Sequence, residues 1–258
     1  MQQPSPPSPI ALITGAASGI GAATAGQIAA QCRGLALHTR GAGNASVERL
    51  EATAALARQS GSEVITLTGD LAEPGVGRRL VSAALARFGH FDHLVANAGF
   101  ADKRPTDVLT RDDLDRSYAA MAGAFLEMAQ TASPALRASR QGRIVLVSSF
   151  VAHRFRRDEV FPASAAAKAA AEALARALAV ELAPAGVTVN SVVPGYTRKD
   201  GGHTALDPDT WRRVADKAPL GRVAEPEDIA NLIAFLLSAG ARHITGQSIA
   251  VDGGLSLG

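Results

Sequence analysis

The sequence predicts an α/β protein, a doubly wound parallel sheet of about seven strands with helices on both faces. Three observations predict it. Short β-type runs alternate with longer Ala-rich helical patterns along the chain. One strand reads as the continuous apolar run Ile144-Val145-Leu146-Val147, as a strand covered on both faces should. No repeat or inner linker divides the 258 residues, a length that buries a sizeable core as one domain.

The strands are expected, in order, at Ile10–Ile13, Leu35–Thr39, Val64–Thr68, His93–Ala96, Arg143–Ser148, Val187–Val192 and Ser248–Val251. The first helical run covers Ala22 to Gln31. Thr110 and Asp113 have the spacing of a capping box, Pro74 and Pro226 suit first helical turns, and Pro184 with Gly186 marks the end of a long helix. Residues 1–9 hold four prolines, without the basic start or apolar run of a secretory signal. They are expected to be a flexible leader, leaving 10–258 as a single domain.

Composition narrows the function. Lys and Arg number 26 against 24 Asp and Glu, a formal charge of +2, so no strong basic field invites nucleic acid. The lone Cys32 forms no internal disulfide, and no His/Cys pattern has zinc spacing, so no metal site is expected. The long apolar stretch Ala169 to Leu182 is interrupted by Glu172, Arg176 and Glu181, which a membrane span would not tolerate. The expected address is cytoplasmic, with neither membrane nor nucleic acid as partner.

Directly after the first strand stands Thr14-Gly15-Ala16-Ala17-Ser18-Gly19-Ile20-Gly21. Glycines permit a tight turn and close backbone approach to a pyrophosphate, and the helix start presents free N–H groups to anionic oxygens. Cofactor contacts are therefore expected from Gly15, Ser18, Gly19, Ile20 and Gly21. An NAD site would carry an Asp or Glu near the end of the second strand. From Gly21 to Val47 there is none; the strand ends His38-Thr39-Arg40. A guanidinium suits a ribose 2′-phosphate, so Thr39 and Arg40 point to NADP(H).

Further motifs follow in order: Asp70-Leu71, Asn97-Ala98-Gly99, Ser148-Ser149, Lys168, Pro194-Gly195 with Thr197, Ile244-Thr245-Gly246-Gln247 and Val251-Asp252-Gly253-Gly254. With the glycine turn they make the chain, from Ile10 to Leu257, resemble the short-chain dehydrogenase/reductase family. The resemblance implies a Rossmann-type sheet, usually in a homodimer or homotetramer, that transfers hydride between a nicotinamide and a carbonyl or alcohol. It implies that Asp70 and Leu71 border the adenine, that Asn97, Ala98 and Gly99 line the cofactor floor, and that Pro194, Gly195 and Thr197 touch the nicotinamide side. It further implies that Ser149 polarises the carbonyl and Lys168 binds the nicotinamide ribose.

Two positions depart from the family. Four residues before Lys168, where the family carries the proton-donating Tyr, stands Ser164; the Asn of the long helix is replaced by Ala120 or Met121, depending on register. An aliphatic hydroxyl is far less acidic than a phenol, and losing a positioned general acid removes about 10²–10⁴ in rate. Ser164 stays a candidate by position. His153, four residues past Ser149, leads the other proton sources because imidazole titrates near neutrality; Tyr196 and Tyr118 are alternatives. The chain is thus expected to be an NADP(H)-dependent oxidoreductase with a non-standard proton donor, or else a weakly active or inactive NADP(H)-binding relative acting as sensor or partner subunit. Arg154, Arg156 and Arg157 stand where the family places one wall of the small-molecule pocket, able to receive a carboxylate or phosphate or else to serve as a solvated loop or subunit contact, and residues 196–220, with Gly201-Gly202 and His203, resemble a mobile substrate loop.

Overall fold

The computed structural model describes residues 8–157, 159–198 and 208–257. Its strands are β1 (Ile10–Thr14), β2 (Gly34–Thr39), β3 (Glu63–Thr68), β4 (His93–Ala96), β5 (Arg143–Val147), β6 (Thr188–Pro194) and β7 (Ser248–Val251). They form one sheet in the order β3-β2-β1-β4-β5-β6-β7, with every pairing parallel. The helices are α1 (Gly19–Ala29), α2 (Asn44–Gln59), α3 (Val76–Phe88), α4 (Arg111–Tyr118), α5 (Ala124–Ala138), α6 (Pro162–Leu182), α7 (Pro208–Ala215) and α8 (Pro226–Leu237).

Strand alternation sends successive side chains to opposite faces, which is why two cores form. Ile10 and Leu12 join Leu80, Phe125 and Ala171 beneath α3, α5 and α6. Ala11 and Ile13 join Ile28, Leu50 and Ile233 beneath α1, α2 and α8. Burying each Leu- or Ile-sized side chain stabilises by about 1.5–3 kcal/mol. The fully buried Ile10, Leu12, Ile13, Leu35, Leu37 and Leu94 therefore make the centre of the sheet its most rigid part. The strand order reverses between β1 and β4, and the crevice beyond their carboxyl ends is where this architecture receives a ligand.

All seven expected strands are present, with boundaries moved for identifiable reasons. β6 runs on through Pro194, paired with Val251 of β7. Its pairing with β5 has ended at Val192, so the missing N–H of Pro194 costs no ladder bond on that side. β5 stops at Val147, one residue early. Helix α1 begins at Gly19, three residues before the expected Ala22, because the extended backbone of Ser18 makes Ser18 the N-cap. Pro74 lies outside α3: left-handed Gly75 caps that helix and separates the proline from the first turn. Pro226 does occupy the first turn of α8, and the Thr110–Asp113 capping box forms reciprocally at α4. A short turn, Ala183–Ala185, and left-handed Gly186 end α6 as expected. Of the expected leader, residues 1–7 lie outside the described residues, as do 199–207 of the substrate loop.

Candidate active site

The floor of the crevice is stitched before any side chain faces it. Thr14 Oγ1 accepts from the backbone N–H groups of Asn97 and Ala98, each at 3.0 Å, and Asn97 Nδ2 donates to the Thr14 carbonyl at 2.9 Å. The ends of β1 and β4 are thereby held side by side. Gly15 has φ +69°, and a Cβ there would lie 2.9 Å from Asn97 Nδ2. A Cβ on Gly21 would lie 2.2 Å from the Gly15 carbonyl oxygen, so that glycine is required for the closure of α1 on the turn. Gly19, at φ +54°, has nothing within 4 Å of its Cβ position. Two glycines thus serve packing, while the third leaves the outer face of the turn open beside the first-turn amides of α1. Ser18 is exposed and its side chain makes no cap bond, so it does not cover those amides. Ile20 packs partly against the core beneath α1.

Beyond β2 lies a cavity of about 460 Å³ lined by Arg40, Gly41, Ala42, Val47, Thr68, Gly69, Asp70 and Glu73. Arg40 is exposed at its rim. Thr39 is buried, and its hydroxyl is paired with Ser46 Oγ at 2.7 Å. His38 is buried with Nε2 2.9 Å from the Gly69 carbonyl, which fixes the ring tautomer; burial outweighs that bond and lowers its pKa. The imidazole stays neutral, so Arg40 carries the charge of this strand end. Burial pushes the Asp70 carboxyl up, but the Ala72 N–H and the Arg116 guanidinium at 2.7 Å outweigh it and hold the group ionised. Leu71 is buried in the core beneath α3.

The other half of the cleft is built on α6. Ser164, Lys168 and Glu172 follow at four-residue steps, so they share the inward face of that helix, and all are buried. Lys168 Nζ donates to the Val147 carbonyl at 2.6 Å and lies so close to Gly99 that a Cβ there would sit 2.8 Å away. Ser149 is half-buried at the end of β5, and its Oγ accepts from Val151 N–H at 3.4 Å. Ser164 has no exposed surface, and its Oγ accepts from the Asp102 N–H at 2.9 Å. Ala119–Gly123 forms a π-turn between α4 and α5, with Met121 buried beside Gly99. At the ends of β6 and β7, Gly195 packs on Asp252, donates its N–H to the Val251 carbonyl at 3.1 Å and accepts from Thr197 Oγ1 at 3.2 Å. Pro194 is buried at the end of β6.

Sequence reasoning missed the residue that organises this half. Glu172 is 2% exposed and accepts from Ser148 Oγ, from Ser248 Oγ at 2.8 Å and from His153 Nε2 at 2.8 Å, with Arg176 at 3.6 Å. A carboxylate only accepts, so Nε2 of His153 carries a proton. The available signal is a charge four residues past Lys168 in an Ala-rich run, on the same helix face as Ser164 and Lys168. Of the alternatives, Tyr118 is exposed on α4, and Tyr196 packs its ring on Phe150 at 4.6 Å. Arg156 and Arg157 are exposed and Arg154 half-buried. The Gly201-Gly202 and His203 part of the loop lies outside the described residues.

These observations define a Rossmann-type doubly wound domain with a cleft at its strand reversal. A family model described as enoyl-(acyl carrier protein) reductase matches residues 15–256. An uncharacterised oxidoreductase of Methylorubrum extorquens is 33% identical over 95% of this chain and 97% of its own length. The 3-oxoacyl-acyl-carrier-protein reductase FabG of Staphylococcus epidermidis is 31% identical over 95% and 98%. Among solved structures, a blue fluorescent protein from a metagenomic library, in complex with NADPH, superposes with a TM-score of 0.88 at 30% identity, covering 96% of this chain and 97% of that one. The chain belongs to the short-chain dehydrogenase/reductase family of oxidoreductases. Among the described residues, no helix is long and apolar enough to cross a membrane.

Proposed function

We propose that the protein is an NADP(H)-dependent oxidoreductase that moves a hydride between nicotinamide and a carbonyl or alcohol, with a proton donor other than tyrosine. The observation that carries the coenzyme choice is Arg40, exposed on a cavity that it lines with Asp70 and Glu73, of which Asp70 is already engaged by Arg116. The NADPH bound to the metagenomic relative supports the same reading.

When bound, the coenzyme supplies the hydride. The turn at Gly15, Gly19 and Gly21 offers backbone donors to a diphosphate, and Arg40 pairs with an additional phosphate. Asn97, Ala98 and Gly99 form the floor, and Pro194, Gly195 and Thr197 bound the nicotinamide side. Lys168 places a buried ammonium at the cleft, and Ser149 donates a hydrogen bond to the substrate oxygen. His153 is held through Nε2 by Glu172; once protonated, it has an Nδ1–H to deliver, and its exposure allows recharging from solvent.

NADPH is expected to bind more tightly than NADH in fluorescence titrations, and Arg40→Ala to narrow the gap by about tenfold, the size of one charge-assisted contact. Equal affinities of the unaltered protein for both coenzymes would defeat the assignment. The reading includes a cytoplasmic homodimer or homotetramer, for which light scattering at micromolar concentration is the check.

The full burial of Ser164 also favours a second reading, a nucleotide-binding relative with little turnover that serves as sensor or partner subunit. A broad carbonyl screen separates the two. NADPH binding without its consumption by any carbonyl would select the second.

A further inference from the structure

The segment from Gly99 to Arg104 leaves the end of β4 and crosses the amino end of α6, with attachments along its length. Gly99 lies against Lys168 Nζ. The Asp102 N–H donates to Ser164 Oγ at 2.9 Å. Lys103 Nζ stands 3.7 Å from Glu159 Oε1, a buried carboxylate that also pairs with Lys217 at 3.0 Å. Burial pushes Glu159 up, but Tyr196 and Lys217 outweigh it and keep the carboxylate charged. Arg104 binds the Asp102 carboxylate through Nε and Nη2 and reaches Asp113 of α4 through Nη1 at 3.1 Å.

These anchors are unequal. Lys103 and Arg104 are themselves exposed, although Glu159 and Asp102 are not, so these pairs are open to water and salt on their cationic side. Ser164 has no exposed surface, so its acceptor has no water to turn to if the Asp102 N–H withdraws. The hydroxyl at position 164 is occupied by the loop backbone.

We propose that Ser164 is a positioning residue: through the Asp102 amide it holds the 99–104 strap against α6, and the strap, not the Ser164 side chain, forms the substrate wall of the cleft. Glu159, with Lys103 and Lys217, fastens the same wall from the β5–α6 side. The strap's role toward substrate rests on the oxidoreductase reading above; the anchor itself does not.

The test is amide hydrogen exchange resolved at single residues, on the full chain, in the unaltered protein, Ser164→Ala and Ser164→Thr. Alanine should speed exchange at Asp102 about fivefold to tenfold, the size of one hydrogen bond, while threonine retains protection and Gly19 to Gly21 are unchanged. With NADPH and a carbonyl found by screening, Ser164→Ala should raise KM about fivefold, with kcat altered less than about twofold, an unshifted pH profile and recovery in Ser164→Thr. If the alanine variant fails to fold, Ser164→Cys keeps the volume while weakening the acceptor. Unchanged exchange at Asp102 would overturn the anchor. A fall in kcat of about 10²-fold with a displaced pH limb would make Ser164 a proton-transfer group and overturn the positioning role. Absence of turnover in every variant would sink the oxidoreductase reading and the substrate wall with it, while exchange alone still decides the anchor.

Discussion

The coenzyme half of the cleft and the substrate half are built from different materials. Around β1, β2 and β4 the site is built mostly on backbone: a turn made possible by three glycines, amides at the start of α1, and strand ends tied through the side chains of Thr14 and Asn97. Around α6 it consists of buried polar side chains satisfied by one another, with Glu172 and Glu159 each receiving several partners. A backbone site tolerates few residues and so leaves a mark in the sequence. A side-chain network leaves a fainter mark, because its partners come from distant parts of the chain.

The strongest way to break this contrast is Gly21→Val. Its Cβ would meet the Gly15 carbonyl at 2.2 Å, a backbone atom that cannot swing aside. The clash should cost about 3 kcal/mol and weaken NADPH binding by roughly 10²-fold, read by calorimetry and urea unfolding. Unaltered affinity would show that the turn is not the binding element.

Acid tests the scaffold under both halves, from the amino end of the central strand β4. Burial lowers His93 to about 4; neighbouring Arg143 also lowers it, while Asp92 and the Gln141 carbonyl oppose them. Above pH 6.5 the ring is neutral whether the chain is folded or not. Below it the unfolded chain takes up the proton first, so stability falls with pH until about 4, by about 3 kcal/mol in all. Urea midpoints between pH 7 and 4 should show the loss, and His93→Leu should flatten it.

Ser164→Tyr sharpens the contrast further. Ser164 has no exposed surface and its Oγ meets the Asp102 N–H, so a phenol ring there must push the Asp102 backbone aside, and a loss of about 1–3 kcal/mol in thermal or urea unfolding is expected. A variant as stable as the unaltered protein would mean the strap moves freely. The smallest effect belongs to Thr110→Ala, which removes the cap of α4. It should cost about 1 kcal/mol and loosen the helix that holds Asp113 against Arg104, without touching NADPH affinity.

What was legible in the sequence follows the same division. The alternation of short β-type runs with Ala-rich helical patterns located the strands, and β5 stood out as a continuous apolar run because it is buried along its whole length. The glycine turn was legible for a related reason: positive φ at Gly15 and Gly19 and the contact at Gly21 exclude other residues. The partners of Glu172 were not, since Ser148, His153 and Ser248 meet only after β5, α6 and β7 have packed together. Nor could Ser164 reveal its acceptor role, because the donor is a backbone amide 62 residues earlier, which carries no sequence signal. The placing of Pro74 failed on a local detail, the left-handed Gly75 beside it.

The π-turn at Ala119–Gly123 joins α4 to α5, with helical backbone angles at both of its ends. One extra residue in a helical rod turns everything before it by about 100° relative to everything after. That twist lets α4 aim Asp113 at Arg104 while α5 aims Glu127 at the Gly75 amide, two targets that an uninterrupted rod would have to reach in a different phase. Excising a single residue there would bring the two faces into common phase, and one of the two grips would have to let go.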